Sequence, residues 1–122
     1  MLKVHTTKFG NVGLLCVEGR IVRGETDELR NAVLAQVDTN VVVLDLAYVN
    51  TVDAGGLGVI LELLEETESR GIQFRLQHVT QPVRRILEIT KLDSVFNIYE
   101  SERPDAAIRS KPAMVFEMAA CA

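Results

Sequence analysis

The residues best suited to chemistry lie between positions 45 and 58, where two carboxylates precede a run of glycines. Paired carboxylates such as Asp45 and Asp53 can act as a general acid and a general base. No histidine, lysine or cysteine lies between these two residues, so helix capping and hydrogen bonding within a loop explain them better than catalysis does. The pair alone therefore predicts no active site.

The three glycines after Asp53, at positions 55, 56 and 58, raise the question of a phosphate-binding loop. The segment AGGLG lacks the GK[ST] of a P-loop and the G-x-G-x-x-G spacing of a dinucleotide-binding turn. A helix N-terminus can still bind an anion through its free backbone N–H groups. Asp53 already occupies part of that positive site, which argues against a phosphate pocket of high affinity.

The other potential nucleophiles and metal ligands are scattered along the chain. Cys16 and Cys121 show no CxxC or Cys/His spacing typical of zinc, and we predict that both are free thiols in a reducing compartment. His5 has no acid, base or nucleophile nearby in the sequence, which favours an ordinary strand residue. We therefore predict a protein that is not an enzyme, with no catalytic residue, metal site or cofactor.

The composition is that of a single globular domain. Of the 122 residues, 48% are hydrophobic and 25% are charged, which suffices for a core without metal or disulfide support. The net charge of −4 gives no general attraction to nucleic acid or to an anionic membrane. Because the sequence contains no apolar run of about 20 residues and no signal-peptide core, we predict a cytoplasmic location.

The glycine turn is predicted to connect a buried strand to a long helix. Val41, Val42, Val43, Leu44 and Leu46 form a short, β-branched and apolar run typical of a strand covered on both faces. From Leu57 onward apolar residues recur with helical period, and Asp53 is placed to cap the helix N-terminus. Glycine costs about 1 kcal/mol relative to alanine within a helix. The three glycines therefore indicate either tight packing on a neighbouring strand or a bare docking face, and the spacing does not decide between them.

The flanking segments predict a mixed sheet. Residues 2–9 and 12–17 are predicted to form the strands of an antiparallel hairpin, and Gly19 is predicted to end the second strand. Residues 20–22 are predicted to be briefly extended. Thr26 is then placed to cap the next helix. A strand over 72–77 alternates apolar residues with Gln73, Arg75 and Gln77, which predicts one exposed face. Thr80 and Pro82 open a third helix, and residues 92–99 provide a turn and a last strand. Ser101 is predicted to cap a short fourth helix.

The segment from the buried strand through Asp53-Ala54-Gly55-Gly56-Leu57-Gly58 resembles the D-S-[SA]-G-L-G signature of STAS domains, the fold of bacterial anti-sigma-factor antagonists. The likeness runs from about residue 12 to about residue 108 and includes GRIVRGETDELRNAV and VTQPVRRILEITKLDSVFNIYES. It implies a single-domain α/β fold over residues 1–110, with a mixed sheet of four to five strands and about four helices.

The resemblance also implies a partner and a site. Family members bind a kinase-type anti-sigma factor and are switched off by phosphorylation of the Ser after the Asp. Here Ala54 occupies the phosphoacceptor position and has no hydroxyl. Thr51 carries the nearest hydroxyl, but it precedes the Asp on the strand side and is therefore a weak candidate for phosphorylation. The expected partner-binding residues are Gly24, Glu25, Thr26, Asp53, Ala54, Gly55, Gly56, Leu57 and Gly58.

Two alternative functions accompany this interpretation. The glycine turn could instead belong to a small-ligand or nucleotide-binding domain, or the chain could be a subunit of a larger signalling or transport-associated assembly. Residues 111–122 form an apolar tail beyond the STAS-like domain, which we expect to pack on its own domain. Pairing of two protomers into a homodimer is the alternative role for this tail.

Overall fold

The computed structural model describes residues 2–36 and 38–99, with the backbone alone for 97–99. Within these ranges the chain forms an α/β fold with a five-stranded mixed sheet and three helices, as the sequence predicts; the fourth helix and the apolar tail lie outside the described residues. The elements in chain order are β1 (Lys3–Phe9), β2 (Val12–Ile21), α1 (Asp27–Leu34), β3 (Val41–Val52), α2 (Ala54–Ser69), β4 (Gln73–Gln77), α3 (Gln81–Ile89) and β5 (Asn97–Tyr99).

The N-terminal hairpin forms as predicted, but its second strand is longer. β1 pairs antiparallel with β2, and Gly10 has the positive φ of +61° that the turn requires. Gly19 does not end β2: it lies within the strand at φ +118°, beside a register irregularity between Gly19 and Arg20. The predicted break is wrong because pairing with β3 supports a locally irregular strand. β2 consequently extends to Ile21, which lies beside Val52 at the end of β3.

The three helices lie on one face of the sheet. The strands are ordered β1-β2-β3-β4-β5, and each neighbouring pair after the first is parallel. Right-handed crossovers that advance in one direction across a sheet place their connecting helices on the same side. One continuous core accordingly joins this face to the helices; its fully buried members include Leu15, Ile21, Leu29, Leu44, Leu46, Ile60, Leu63, Phe74, Leu76 and Leu87.

The opposite side, which we call the second face, is formed by Val12, Leu14, Cys16, Val41 and Val43. These residues alternate along β2 and β3 with the residues that face the helices. Cys16 is disulfide-bonded, and no cysteine among the described residues is free. The free-thiol prediction is therefore wrong at Cys16, because proximity in the fold and not spacing along the chain decides which cysteines can pair.

The second face continues across the sheet through Asp45 and Gln77, which lie beside each other on β3 and β4. Each is only 1% exposed. The prediction of an exposed face on β4 holds for Gln73 but is wrong for Gln77. The amide Nε2 of Gln77 donates a hydrogen bond to Asp45 Oδ2 at 3.0 Å, which permits this polar side chain to be buried.

Candidate functional site

Asp53 joins the start of α2 to the loop that follows β2. It has an extended backbone (φ −99°, ψ −178°), and its Oδ1 accepts a hydrogen bond from the Gly56 amide at 2.7 Å. This is the N-cap predicted from the sequence. The Arg23 amide also donates to Oδ1 at 3.0 Å and to Oδ2 at 3.1 Å. A single carboxylate thus fixes the helix start relative to the neighbouring loop.

These backbone donors favour the ionised form of Asp53. They hold the pKa of this carboxyl below its ordinary value of 3.8, with the Gly56 amide as the largest cause and the Arg23 amide as the next. Because the pKa is lower in the folded state than in the unfolded state, the resulting stabilisation is complete above the unfolded pKa. It is lost as the pH falls through the folded pKa.

We expect Asp53→Asn to remove this pH dependence. Asparagine retains a side-chain oxygen that can cap the helix but does not ionise, so the variant should be less stable than the wild type at about pH 6 and closer to it at about pH 3. The difference in urea midpoint between the two proteins, measured across this range, tests the expectation. A difference that is constant with pH would show that Asp53 ionisation does not contribute to stability.

The glycines of the turn differ in what surrounds them. A Cβ on Gly56 would overlap the backbone carbonyl oxygen of Ile21, and a Cβ on Gly55 would lie 2.6 Å from the Cβ of Arg23. A Cβ on Gly58 would have no heavy atom within 4 Å apart from those of its chain neighbours and the adjacent backbone of α2 itself. Gly55 and Gly56 therefore allow α2 to pack closely on the end of β2 and the loop that follows it, as the tight-packing interpretation predicts. The docking-face interpretation stays a prediction for Gly58, where the surface is open.

The predicted partner-binding residues lie together around the start of α2 but are not equally accessible. Thr26 is the N-cap residue of α1, yet its side chain makes no capping hydrogen bond, so its predicted capping role is not met. Thr51 is exposed within β3 and lies beside Arg20 of β2. Of the nine predicted residues, Gly24, Asp53, Ala54 and Gly58 are exposed, Glu25 and Gly55 are partly buried, and Thr26, Gly56 and Leu57 are buried.

A shallow pocket of about 390 Å³ adjoins this turn. Its lining includes Gly24, Glu25, Asp27 and Glu28, with the apolar Leu2. Arg20 makes an ion pair with Glu25 at 3.5 Å, which partly balances one of these carboxylates. The concentration of acidic side chains disfavours a phosphate or nucleotide in this pocket.

A second polar cluster, which sequence reasoning missed, lies around Asp45 on the second face. Asp45 Oδ2 lies 2.9 Å from His78 Nδ1, and Oδ1 accepts from the Ala47 amide at 3.0 Å. The only sequence signal was a carboxylate inside an apolar strand and a histidine after the next strand. Asp45 precedes Asp53 by eight residues, which at about 3.3 Å per residue along β3 corresponds to roughly 26 Å, so the cluster does not belong to the glycine turn.

Neither cluster forms a metal centre within residues 2–36 and 38–99. No group of three or more His, Cys, Asp or Glu side chains in this part of the chain could hold a metal ion. Among the described helices, none is long and apolar enough to cross a membrane. At the turn itself, Asp53 holds exposed backbone of the helix start and of the neighbouring loop in place through hydrogen bonds.

Known proteins resemble this chain in sequence and in fold. An anti-sigma factor antagonist homologue of Thermotoga neapolitana is 37% identical over 62 residues, which cover 51% of this chain and 55% of the relative. The chain thus spans about half the length of the curated relatives of this kind that it matches. The anti-sigma factor antagonist BtrV of Bordetella bronchiseptica is 26% identical over 108 residues, covering 87% of this chain and 93% of that protein.

The crystal structure of an anti-sigma factor antagonist from Thermotoga maritima superposes with a TM-score of 0.73 at 22% identity. The match covers 96% of this chain and 95% of that one, and at this identity it supports the fold alone. The STAS domain family model matches residues 3–104, a range that contains the sheet, the three helices and the Asp53 turn. The chain therefore belongs to the STAS domain family.

Proposed function

We propose that this protein is an anti-sigma-factor antagonist that binds a kinase-type anti-sigma factor in the cytoplasm and thereby releases a sigma factor. Its docking surface consists of Gly24, Glu25, Asp53, Ala54 and Gly58. The observation that carries the proposal is the exposed, nearly side-chain-free start of α2, which Asp53 holds against the loop after β2. The names of the relatives from Thermotoga neapolitana and Bordetella bronchiseptica support the same role.

The construction of this surface suits recognition by shape. The Gly56 backbone packs on Ile21, and the Asp53 carboxylate links the two segments that contribute exposed residues. A surface fixed before binding loses less conformational entropy when the partner docks. Because Ala54 carries only a methyl group and Gly58 has no side chain, the partner can approach the helix backbone closely.

The same turn contains no group that a kinase partner could phosphorylate at the position after Asp53. Ala54 is the first residue of α2 and is exposed, but it has no hydroxyl. A phosphate in this place would add a charge of about −2 to the docking surface. We propose that the protein is either constitutively competent to bind or regulated at another position.

Incubation with the cognate anti-sigma kinase and ATP should therefore leave the intact mass of the wild type unchanged. Ala54→Ser restores a hydroxyl at the start of α2 and should gain the mass of one phosphoryl group under the same conditions. The Ser variant thus shows that the kinase is active and that the turn is accessible to it. Phosphate on the wild-type turn, including Thr51, would refute the loss of phosphorylation control.

A small-molecule ligand is the alternative function, and the pocket beside Gly24 is the observation in its favour. A ligand that binds only the folded state raises the melting temperature in proportion to the logarithm of its concentration above Kd. Thermal-shift measurements with nucleotides, inorganic phosphate and lipids should show no stabilisation if the antagonist proposal is correct. A concentration-dependent increase that Glu25→Gln alters would favour the ligand-binding function instead.

A further inference from the structure

The second half of β3, residues 46–52, leads from the core of the sheet to the Asp53 turn with a neighbouring strand on one edge only. β4 ends at Gln77, which lies beside Asp45, so within the described part of the chain no strand pairs with residues 46–52 on that edge. On the other edge this half of β3 pairs with β2. The contacts that hold it therefore determine where Asp53 lies.

The pairing of this half with β2 is irregular at two places. Asp45 lies beside Cys16. The next pair joins Tyr48 to Glu18, so β3 has advanced three positions while β2 has advanced two. Asn50 is a second extra residue, because the pairs on either side of it join consecutive residues of β2. Each irregularity is a β-bulge, in which one strand contributes one residue more than its partner.

The two bulges decide which side chains of β3 face the helices. Up to Leu46 the core-facing residues recur at every second position, as in a regular strand. Val49 and Val52 follow at intervals of three and are buried in the same core. A slip of one residue turns every following side chain to the opposite face. Loss of a bulge would therefore rotate the end of β3 and move Asp53 away from the end of β2.

Asp45 stabilises the first bulge from within the sheet. Its Oδ1 accepts a hydrogen bond at 3.0 Å from the amide of Ala47, which lies between the two register pairs. A bulge leaves the extra residue unpaired, and a carboxylate two positions earlier can supply the missing acceptor. Oδ2 of the same carboxylate accepts from Gln77 Nε2 at 3.0 Å and lies 2.9 Å from His78 Nδ1. Asp45 thus connects the bulge to the end of β4.

Thr80 holds the same half of β3 from the loop after β4. It occupies the N-cap position of α3, yet its side chain makes no capping hydrogen bond. Its hydroxyl donates instead to the carbonyl oxygen of Val49, a residue that lies between the two bulges. Threonine at this position usually caps its own helix; here its hydroxyl stabilises the strand that has lost β4 as a neighbour.

We propose that Asp45 and Thr80 are positioning residues for the docking surface: together they hold residues 46–52 in the bulged register that brings Asp53 to the end of β2. The Asp53 amide donates to the carbonyl oxygen of Ile21 at 3.3 Å, a contact that depends on this register. Asp45 is 1% exposed and cannot itself touch a partner at the turn. The effect on partner binding rests on the proposed antagonist function, whereas the effect on the turn does not.

Amide resonances of the folded protein test the positioning, because they report the geometry of the native state and not its stability. Thr80→Val keeps the shape of the side chain but removes its hydroxyl. Asp45→Leu removes the acceptor of the bulge amide at similar volume. We expect both variants to shift the amide resonances of Gly56 and Arg23, which donate to Asp53 in the wild type.

Two controls separate positioning from loss of stability. Asp45→Asn keeps an oxygen that can accept from the bulge amide, so its Gly56 resonance should stay close to that of the wild type. Val43→Ala leaves a cavity on the second face of β3, which should lower the urea midpoint without moving the turn. Unshifted turn resonances in Thr80→Val would overturn the proposal even if Asp45→Leu fails to fold, as would an equal shift in Val43→Ala.

Partner binding then tests whether the positioning matters for docking. Thr80→Val and Asp45→Leu should bind the cognate anti-sigma factor about fivefold more weakly, as loss of one ordinary hydrogen bond would produce, although neither residue belongs to the docking surface. Shifted turn resonances with unchanged affinity would overturn the docking role. A wild type that binds no anti-sigma factor would refute the proposed function, while the resonances would still decide whether Asp45 and Thr80 position the turn.

Discussion

Gly56→Ala is expected to destabilise the fold by about 2–3 kcal/mol, the cost typical of forcing an extra methyl group into a closely packed site. The new Cβ would overlap the backbone carbonyl oxygen of Ile21. A backbone atom cannot rotate away as a side chain can, so α2 must shift from the end of β2. That shift would also weaken the hydrogen bond between the Gly56 amide and Asp53. Urea unfolding at neutral pH measures the difference.

Gly58→Ala is the matched control, because the same methyl group is added to the same helix. A Cβ at position 58 meets no heavy atom within 4 Å beyond its chain neighbours and the adjacent backbone of α2. Alanine is favoured over glycine within a helix by about 0.8–1.0 kcal/mol. We expect this variant to be more stable than the wild type and to bind the anti-sigma factor less tightly. Equal destabilisation by both substitutions would show that close packing of Gly56 on β2 is not the cause.

The second large effect is expected at Ala54, the position of the absent phosphoacceptor. Ala54→Asp should weaken binding to the anti-sigma factor by about tenfold to a hundredfold, because it places a second carboxylate beside Asp53 on the docking surface. Negative charge in the first turn of a helix is stabilised by the helix dipole. The variant should therefore remain folded, and a loss of binding would report on the interface.

Isothermal titration against the cognate anti-sigma factor measures this change in affinity. Ala54→Asn is the control, since asparagine has nearly the size and shape of aspartate without its charge. We expect it to bind more tightly than the Asp variant, and urea midpoints should show that both are folded. If Ala54→Asp binds as tightly as the wild type, the interface lies elsewhere on the domain.

Together these variants separate the two roles of the glycine turn. Gly56 is buried and determines how closely α2 approaches β2, so its substitution acts on stability first. Ala54 and Gly58 are exposed, so their substitution acts on binding while the fold persists. A binding defect in a variant with undiminished stability is the result that most directly supports the proposed antagonist function.

The amino-acid sequence determined those features that depend on neighbouring residues. Asp53 caps α2 through a bond to Gly56, three residues along the chain, and this interaction was predictable because capping acts within one helical turn. The order of strands and helices followed from local periodicity, which reflects the repeat of each element. The family signature around Asp53 was likewise contained in one continuous segment.

Only the tertiary structure decided which distant residues meet. The Arg23 amide donates to Asp53, thirty positions away. Gly56 of α2 packs against Ile21 of β2, and His78 contacts Asp45. Pairing with β3 also continues β2 beyond Gly19, and Gln77 is buried. The local sequence pattern predicted neither outcome. Local patterns specify an element and its apolar face, but the register between strands sets its neighbours. The surface available to a partner depends on those neighbours.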